Sequence, residues 1–227
     1  MLLVVIKQTS YKVCSMGVSN FYPLVSQRAS EAIEYLDTPP VLREVSVGVD
    51  IAILLHRARS SVSRDSEFLP YIAEKIYWLQ SLGARVVAIF DGDNIPEKKE
   101  EQQRRQFERE KNEVMIETEE SALKELENDD EISRKRQRIE NLKKRVAKPS
   151  LEDKQNAWDL LIAMGCYCHK AQGEGEAELA AFQISEIIQE IITEDSDTIV
   201  CGAKSILKNF WNLQGTTFEL SSSRKPQ

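Results

Sequence analysis

Three stretches of this chain share one plan, a dense Val/Ile run that ends on aspartate. They are "VSVGVDIAILLHRA" at 45–58, "ARVVAIFDGDNIP" at 84–96 and "EIITEDSDTIVCGA" at 190–203. Near-continuous runs of β-branched residues form strands covered on both faces, as in a parallel sheet. Helix-favouring stretches precede the second and third runs, at roughly 66–82 and 175–189. The alternation predicts an α/β chain of βαβ units around a parallel sheet, with strands reaching Asp50, Asp91 and the pair Asp195/Asp197.

Between the second and third units lies a charged tract, 97–148, rich in Glu, Lys, Arg and Gln and without Gly or Pro. Its residues favour helix, and it has too few apolar positions to be core. A solvated helical pair is the plain expectation. Within it, "RKRQR" at 134–138 and "KKR" at 143–145 make a basic block, either a solvated face or a surface for nucleic acid. A further helix is expected over 154–165, stopped by Gly165.

Composition narrows the class. The chain is 227 residues long, 41% hydrophobic and 30% charged, enough for a packed α/β core. It has no run of ~18 apolar residues, so no membrane span is expected. The opening "MLLVVIKQTSYKVC" is too short for a convincing signal peptide. A net charge of −7 argues weakly against nucleic acid, but carboxylates can be gathered in a metal site while basic residues lie elsewhere. Four unpatterned cysteines fit a reducing intracellular compartment. "CYCH" at 166–169 is either half a zinc site with no second half, or alternation on a strand.

In open parallel sheets, ligands sit outside the carboxyl ends of the strands. Asp50, Asp91, Asp195 and Asp197 are expected there. Side chains two apart on a strand share a face, so Asp195 and Asp197 would turn together while Glu194 turns away. "AQGEGEAELA" at 171–180 reads as a loop entering a helix. On a regular helix Glu174 and Glu176 would stand ~200° apart, but at its N-terminus Gly173 and Gly175 can let both reach inward. Glu178 is expected to be exposed. Taken singly, each acidic cluster is as well explained by a solvated loop or helix start. Together they would repel one another strongly without a counterion. Mg²⁺ takes oxygen ligands, and two ions ~4 Å apart form a phosphodiester-cleaving centre.

These motifs resemble one family. "MGVSNFYPLV" (16–25), "VGVDIAILLH" (47–56), "VVAIFDGDNIPEKK" (86–99), "AQGEGEAELA" (171–180) and "TEDSDTIVCGA" (193–203) are similar to the flap endonuclease/XPG family of structure-specific 5′ nucleases, in order and at comparable spacing. The resemblance implies a PIN-like nuclease core with helices on both faces, carrying a long charged helical arch. It implies a Mg²⁺-dependent endo- or exonuclease acting on branched or 5′-flap DNA in replication and repair. Mn²⁺ is an expected substitute. Asp50, Asp91 and Glu174 would hold one Mg²⁺, and Glu176, Asp195 and Asp197 the other. Lys98 and Arg105 would contact the scissile phosphate. Gly17, His56, Arg134 and Arg136 would contact DNA, His56 standing where the family usually carries a tyrosine that stacks on a base; the plain alternative for it is a helix-surface residue. The expected parts are an extension at 1–15, the first core segment at 16–96, the arch at 97–150, the second core segment at 151–213 and a tail at 214–227. A nuclear location is expected from the family and from the basic block.

Several departures qualify the expectation. Fifteen residues precede the Met16-Gly17 pair at which family members normally begin, so translation starts at Met16 or the extension lies beside the site. A further family aspartate, the helix-hairpin-helix module that grips duplex DNA, and a sliding-clamp-binding motif are not recognisable in 203–227. The alternative is therefore a truncated or catalytically weakened nuclease-like protein that binds DNA or acts as a scaffold. An RNA-cleaving enzyme of the PIN type is a third reading, which the basic arch and "EGEAE" fit less well.

Overall fold

The Val/Ile runs occupy the middle of a seven-stranded sheet. The computed structural model describes residues 3–7, 21–36, 38–62, 64–92, 99–124 and 128–215. The strands are β1 (Leu3–Lys7), β2 (Ile33–Leu36), β3 (Ser46–Asp50), β4 (Arg85–Phe90), β5 (Tyr167–Lys170), β6 (Glu190–Ile192) and β7 (Ser205–Lys208). Their spatial order is β2-β1-β7-β6-β3-β4-β5. The block β7-β6-β3-β4-β5 is parallel throughout. The chain steps from β3 through β4 to β5 in one direction, then places β6 on the other side of β3. That reversal is the point at which open α/β sheets form ligand crevices.

The sheet is mixed rather than purely parallel. The opening apolar run, expected as an extension, supplies β1. Residues 4–7 pair antiparallel with 205–208, and residues 3–6 pair antiparallel with 33–36. The third Val/Ile run is also shorter as a strand than its sequence suggests. β6 stops at Ile192, leaving Thr193–Ser196 as a turn and Asp197 as the first residue of a short helix.

Helices cover both faces: α1 (Phe21–Arg28), α2 (Ile51–Ser61), α3 (Phe68–Ser81), α4 (Lys99–Leu123), α5 (Asp129–Val146), α6 (Leu151–Ala163), α7 (Gly175–Ile184) and α8 (Asp197–Val200). Strand alternation divides the core in two. Val86, Ala88 and Phe90 join Val47 and Val49 against α2, α3 and α6, whereas Val87 and Ile89 face Leu179, Ala180 and Ile199 of α7 and α8. Gly165 takes φ +79 just past α6, the left-handed stop expected there. "CYCH" enters β5, and burial pushes its thiols up, to about 12 for Cys166 and about 11 for Cys168. Among the described residues, no helix is long and apolar enough to cross a membrane.

The charged tract forms α4 and α5 as a hairpin. A narrow apolar seam of Ile116, Ile139 and Leu142 joins them. Glu119 pairs with Lys135 at 3.1 Å and Arg138 at 3.2 Å, and Glu120 pairs with Lys143 at 2.7 Å. Such partly exposed pairs are each worth about 0–1 kcal/mol, so the seam does most to hold the hairpin together.

Where the hairpin returns to the body, Ser150 and Asp153 form a capping box at the start of α6. Arg59, at the end of α2, donates to both oxygens of Asp153, and its guanidinium lies 4.3 Å from the centre of the Phe68 ring. Burial alone would raise the Asp153 carboxyl, but hydrogen bonds from Arg59 and Ser150 hold it below the usual carboxylate value. Removing Arg59 from this part-buried pair would leave the Asp153 carboxylate without its cation, at about 1–3 kcal/mol. Arg59→Ala should therefore lower stability in urea by that order. The double replacement Arg59→Met with Asp153→Leu should cost less, because no carboxylate is left buried without its cation.

Candidate functional site

The carboxyl ends of β3, β4 and β6 deliver the acids. Asp50 is the last residue of β3 and also the N-cap of α2, where its Oδ1 accepts from the Ile53 amide at 3.3 Å. Its Oδ2 accepts from Thr193 Oγ1 at 3.1 Å, across from β3 to the end of β6. Burial first, and then the nearby Asp91 carboxylate, push the Asp50 carboxyl up to about 6; hydrogen bonds from Ile53 and Thr193 oppose the rise, and Asp195 adds to it. Asp50 thus stands within electrostatic reach of acids on two other segments.

Asp91 follows β4. Its Oδ1 accepts from the Gly175 amide at 3.0 Å, which draws the start of α7 against the end of β4. A Cβ on Gly175 would lie 2.8 Å from that same oxygen. A side chain at the glycine between the two glutamates of "EGE" would therefore displace the Asp91 carboxylate from this bond. The expected backbone relaxation is not what the glycine supplies, since φ is positive at neither Gly173 nor Gly175. Gly92, the glycine of "FDG", is confined in the same way. Its amide donates to Gly173 O at 2.9 Å, and a Cβ would meet Ala171 O at 2.8 Å. The two motifs lock together through backbone contacts. Glu174 is the N-cap residue of α7 and Glu176 lies in its first turn, both half-buried. Of the two Glu176 carboxylate oxygens, Oε2 is buried, with no hydrogen-bond donor to it among the described residues.

Asp195 and Asp197 lie beyond β6, so strand alternation does not orient them. A chain of hydrogen bonds does so instead. Thr193 Oγ1 accepts from the Asp195 amide at 3.0 Å, and Asp195 Oδ1 accepts from the Asp197 amide at 2.8 Å. Glu194 turns to the opposite side, where its carboxylate accepts from the Asn209 amide at 3.1 Å and faces Arg57 Nη1 at 3.7 Å. Lys208 Nζ donates to Glu194 O and to Ser196 Oγ; burial lowers its pKa, while Glu194, Asp195 and Asp197 act to raise it.

The Cys201 thiol, just after α8, reports on the rest of the cluster. Burial raises it first, followed by the carboxylates of Glu176, Glu174, Asp197 and Asp195, and together they push it to about 11. Between them, Asp50 and Cys201 lie within electrostatic reach of the other five acids singled out in the sequence. Among the described residues, no three His, Cys, Asp or Glu side chains stand close enough to hold one ion as they are. The donor set nevertheless fits a hard divalent cation. It is all carboxylate, it lies at the carboxyl end of the sheet, and a cation there would offset both the burial and the neighbouring charge that lift Asp50.

The remaining expected residues are spread more widely. His56 is on the exposed side of α2. Arg134 and Arg136 are exposed on α5, and Arg134 lines a shallow groove against α4 with Glu119, Glu131, Lys135 and Arg138. Arg105 lies within α4. Gly17 and Lys98 lie outside the described residues. Glu178, expected to be exposed, is half-buried and bonds to His169 Nε2 at 2.9 Å. Thr193 and Lys208 were not singled out in the sequence. The only signal for Thr193 is its place between the β6 run and the acids.

Comparison with known proteins now becomes informative. The family model of the XPG N-terminal domain matches residues 16–112, and that of the XPG I-region matches residues 165–225. Exonuclease 1 of Danio rerio is 28% identical over 191 residues, covering 78% of this chain and 22% of its own length. Flap endonuclease 1 of Theileria parva is 25% identical over 207 residues, covering 86% of this chain and 40% of its own. The chain thus spans well under half the length of these curated relatives. The catalytic core of Rad2 in complex with DNA substrate superposes with a TM-score of 0.55 at 22% identity, over 86% of this chain and 51% of that one; the likeness is one of fold.

Asp50 makes stability depend on pH. Its folded pKa, about 6, exceeds its ordinary value of 3.8. The stabilising contribution of the protonated form is complete below about pH 4 and is lost as pH rises through 6. A rise of that size is worth about 2–3 kcal/mol. In EDTA, Asp50→Asn should therefore raise Tm at pH 7.5 and change it little at pH 4.5, as followed by differential scanning calorimetry.

Proposed function

Since the chain belongs to the XPG/flap endonuclease family of nucleases, we propose that it hydrolyses phosphodiester bonds in branched or 5′-flap DNA, in a Mg²⁺-dependent reaction. The observation that carries this reading is the gathering of acids from four chain segments at the carboxyl ends of β3, β4 and β6 and the start of α7, joined by the Thr193–Asp50, Gly175–Asp91, Asp195–Thr193 and Asp197–Asp195 hydrogen bonds. Asp50, Asp91 and Glu174 would hold one Mg²⁺ and Glu176, Asp195 and Asp197 the second, Mn²⁺ substituting. When bound, the ions would polarise the attacking water and stabilise charge on the oxygens around phosphorus.

The protein's own groups prepare the site. Asp50 is mainly ionised above pH 7, given a carboxyl near 6, and is therefore ready as a ligand. Asp91 holds the start of α7 in place through the Gly175 amide, which fixes the origin of Glu174 and Glu176. Lys98 and Arg105, around the start of the arch, would bring positive charge to the scissile phosphate. Arg134 and Arg136 are exposed on α5, which supports a role in holding the backbone of a single strand. His56 would stack on a base. The nucleus is the compartment this reading proposes.

Purified chain should cut a labelled 5′-flap duplex with Mg²⁺ and not with EDTA. Asp195→Asn should lower the rate by about a hundredfold or more, since an ion ligand supports several kcal/mol of transition-state stabilisation. Cleavage that survives Asp195→Asn would remove these residues from the reaction. Binding without Mg²⁺-dependent cleavage would move the chain to the scaffold reading. Arg134→Ala and Arg136→Ala should each weaken single-strand binding and reduce the slope of log affinity against log salt by about 0.7, as measured by fluorescence anisotropy.

A further inference from the structure

Lys208 lies directly behind the acidic turn. Its Nζ donates to the carbonyl of Glu194 at 2.5 Å and to the hydroxyl of Ser196 at 2.8 Å. These groups belong to the residues immediately before and after Asp195. One side chain therefore ties down the residues on both sides of a proposed ligand, Glu194 through its carbonyl and Ser196 through its hydroxyl. The strand register supports the arrangement. Lys208 ends β7, whose Leu207 pairs with Ile192 at the end of β6, so the two chain ends leave the sheet side by side.

Glu194 closes the support from the other side. Its carboxylate accepts from the Asn209 amide at 3.1 and 3.2 Å, and Arg57 of α2 faces it at 3.7 Å. Arg57 also donates to Asn212 Oδ1. Asn209 takes φ 62, a left-handed conformation that turns its amide back toward the acidic turn. Past Ile192 the turn keeps one backbone bond to β7, from the Thr193 amide to Leu207 O at 3.4 Å, and the Thr193 hydroxyl bonds to Asp50. Further along, Lys208, Asn209 and Arg57 hold its backbone and Glu194.

We propose that Lys208 is a positioning residue for the second ion, fixing Asp195 and Asp197 for metal binding from behind, with Glu194 as its structural counterpart rather than a ligand. The inference rests on the metal-nuclease reading above. It concerns how tightly an ion is held, which is measured without DNA and without turnover.

Mn²⁺ binding to the purified chain, followed by electron paramagnetic resonance of the free ion, provides that measurement. Lys208→Met should weaken Mn²⁺ binding by about tenfold, the usual scale for groups that orient metal ligands. The Mg²⁺ concentration for half-maximal flap cleavage should rise in proportion, while KM for DNA stays within about twofold. Lys208→Arg, which keeps donors at that point, should recover part of the affinity. Lys208→Met that binds Mn²⁺ like the parent, or that changes KM for DNA alone, would overturn the positioning role and leave the nuclease reading standing. A parent chain that binds no Mn²⁺ would overturn both. If Lys208→Met lowers Tm sharply, Glu194→Gln provides the second test. It keeps an acceptor for the Asn209 amide, loses the charge facing Arg57, and should weaken Mn²⁺ by less than Lys208→Met; an equal or larger loss would identify Glu194 as a ligand and overturn the proposal.

Discussion

Burial of the Asp50 carboxyl among other acids at the carboxyl ends of the central strands is the constraint on which the surrounding structure depends. A buried acid such as Asp50 is costly in its charged form, and neighbouring acids increase the cost. The fold tolerates the cluster by giving its members donors. Asp50 has the Ile53 amide and the Thr193 hydroxyl, Asp91 has the Gly175 amide, and Asp195 has the Asp197 amide. Most of these donors are backbone amides at helix starts or tight turns, so the polypeptide is shaped to hold negative charge before any cation arrives.

That shaping explains where the glycines lie. Gly92 and Gly175 both sit where another backbone or a carboxylate approaches closer than a Cβ would allow. They let the end of β4 and the loop before α7 come within hydrogen-bonding distance. Two acidic motifs more than eighty residues apart in sequence are thus joined through main chain, the most rigid connection available between them. A methyl group at Gly92 would meet backbone of 171–172 and push the segments apart, whereas one at Gly175 would displace the Asp91 carboxylate.

Much of the framework was legible in the sequence because burial on both faces leaves a strong mark. The runs ending at Asp50 and Asp91 became β3 and β4 nearly as read, and the Gly- and Pro-free charged tract became the helical hairpin. What could not be read was the environment past the end of a strand. "EIITEDSDTIVCG" looks continuous, but three residues pair and the rest folds back into a turn and a short helix. Alternation therefore does not apply to Asp195 and Asp197, which lie past the strand in a turn held by hydrogen bonds that begin at Thr193. The partners of that turn, Lys208 and Asn209, arise from pairing with β7, a contact that no local pattern encodes. The role of β1 was hidden for the same reason. A short apolar run at a chain start shows no sign of the two antiparallel neighbours it will acquire.

Helix α2 joins these separate features. At its first turn it is capped by Asp50, so the acid at the centre of the cluster also stabilises the helix by about 1 kcal/mol. Two turns on, Arg57 reaches Glu194 and the 3-10 turn at Phe210–Gly215, behind the Asp195 turn. Just beyond, Arg59 grips Asp153 where the arch returns to the body. His56 projects from the exposed side of the same segment. A displacement of α2 would therefore be felt at Asp50, at the acidic turn and at the base of the arch together. The helix is anchored to resist it, with Leu54, Leu55 and Ala58 buried against β4 and α3. The end of β3, the acidic turn and the foot of the α4–α5 hairpin are thus tied to one packed element.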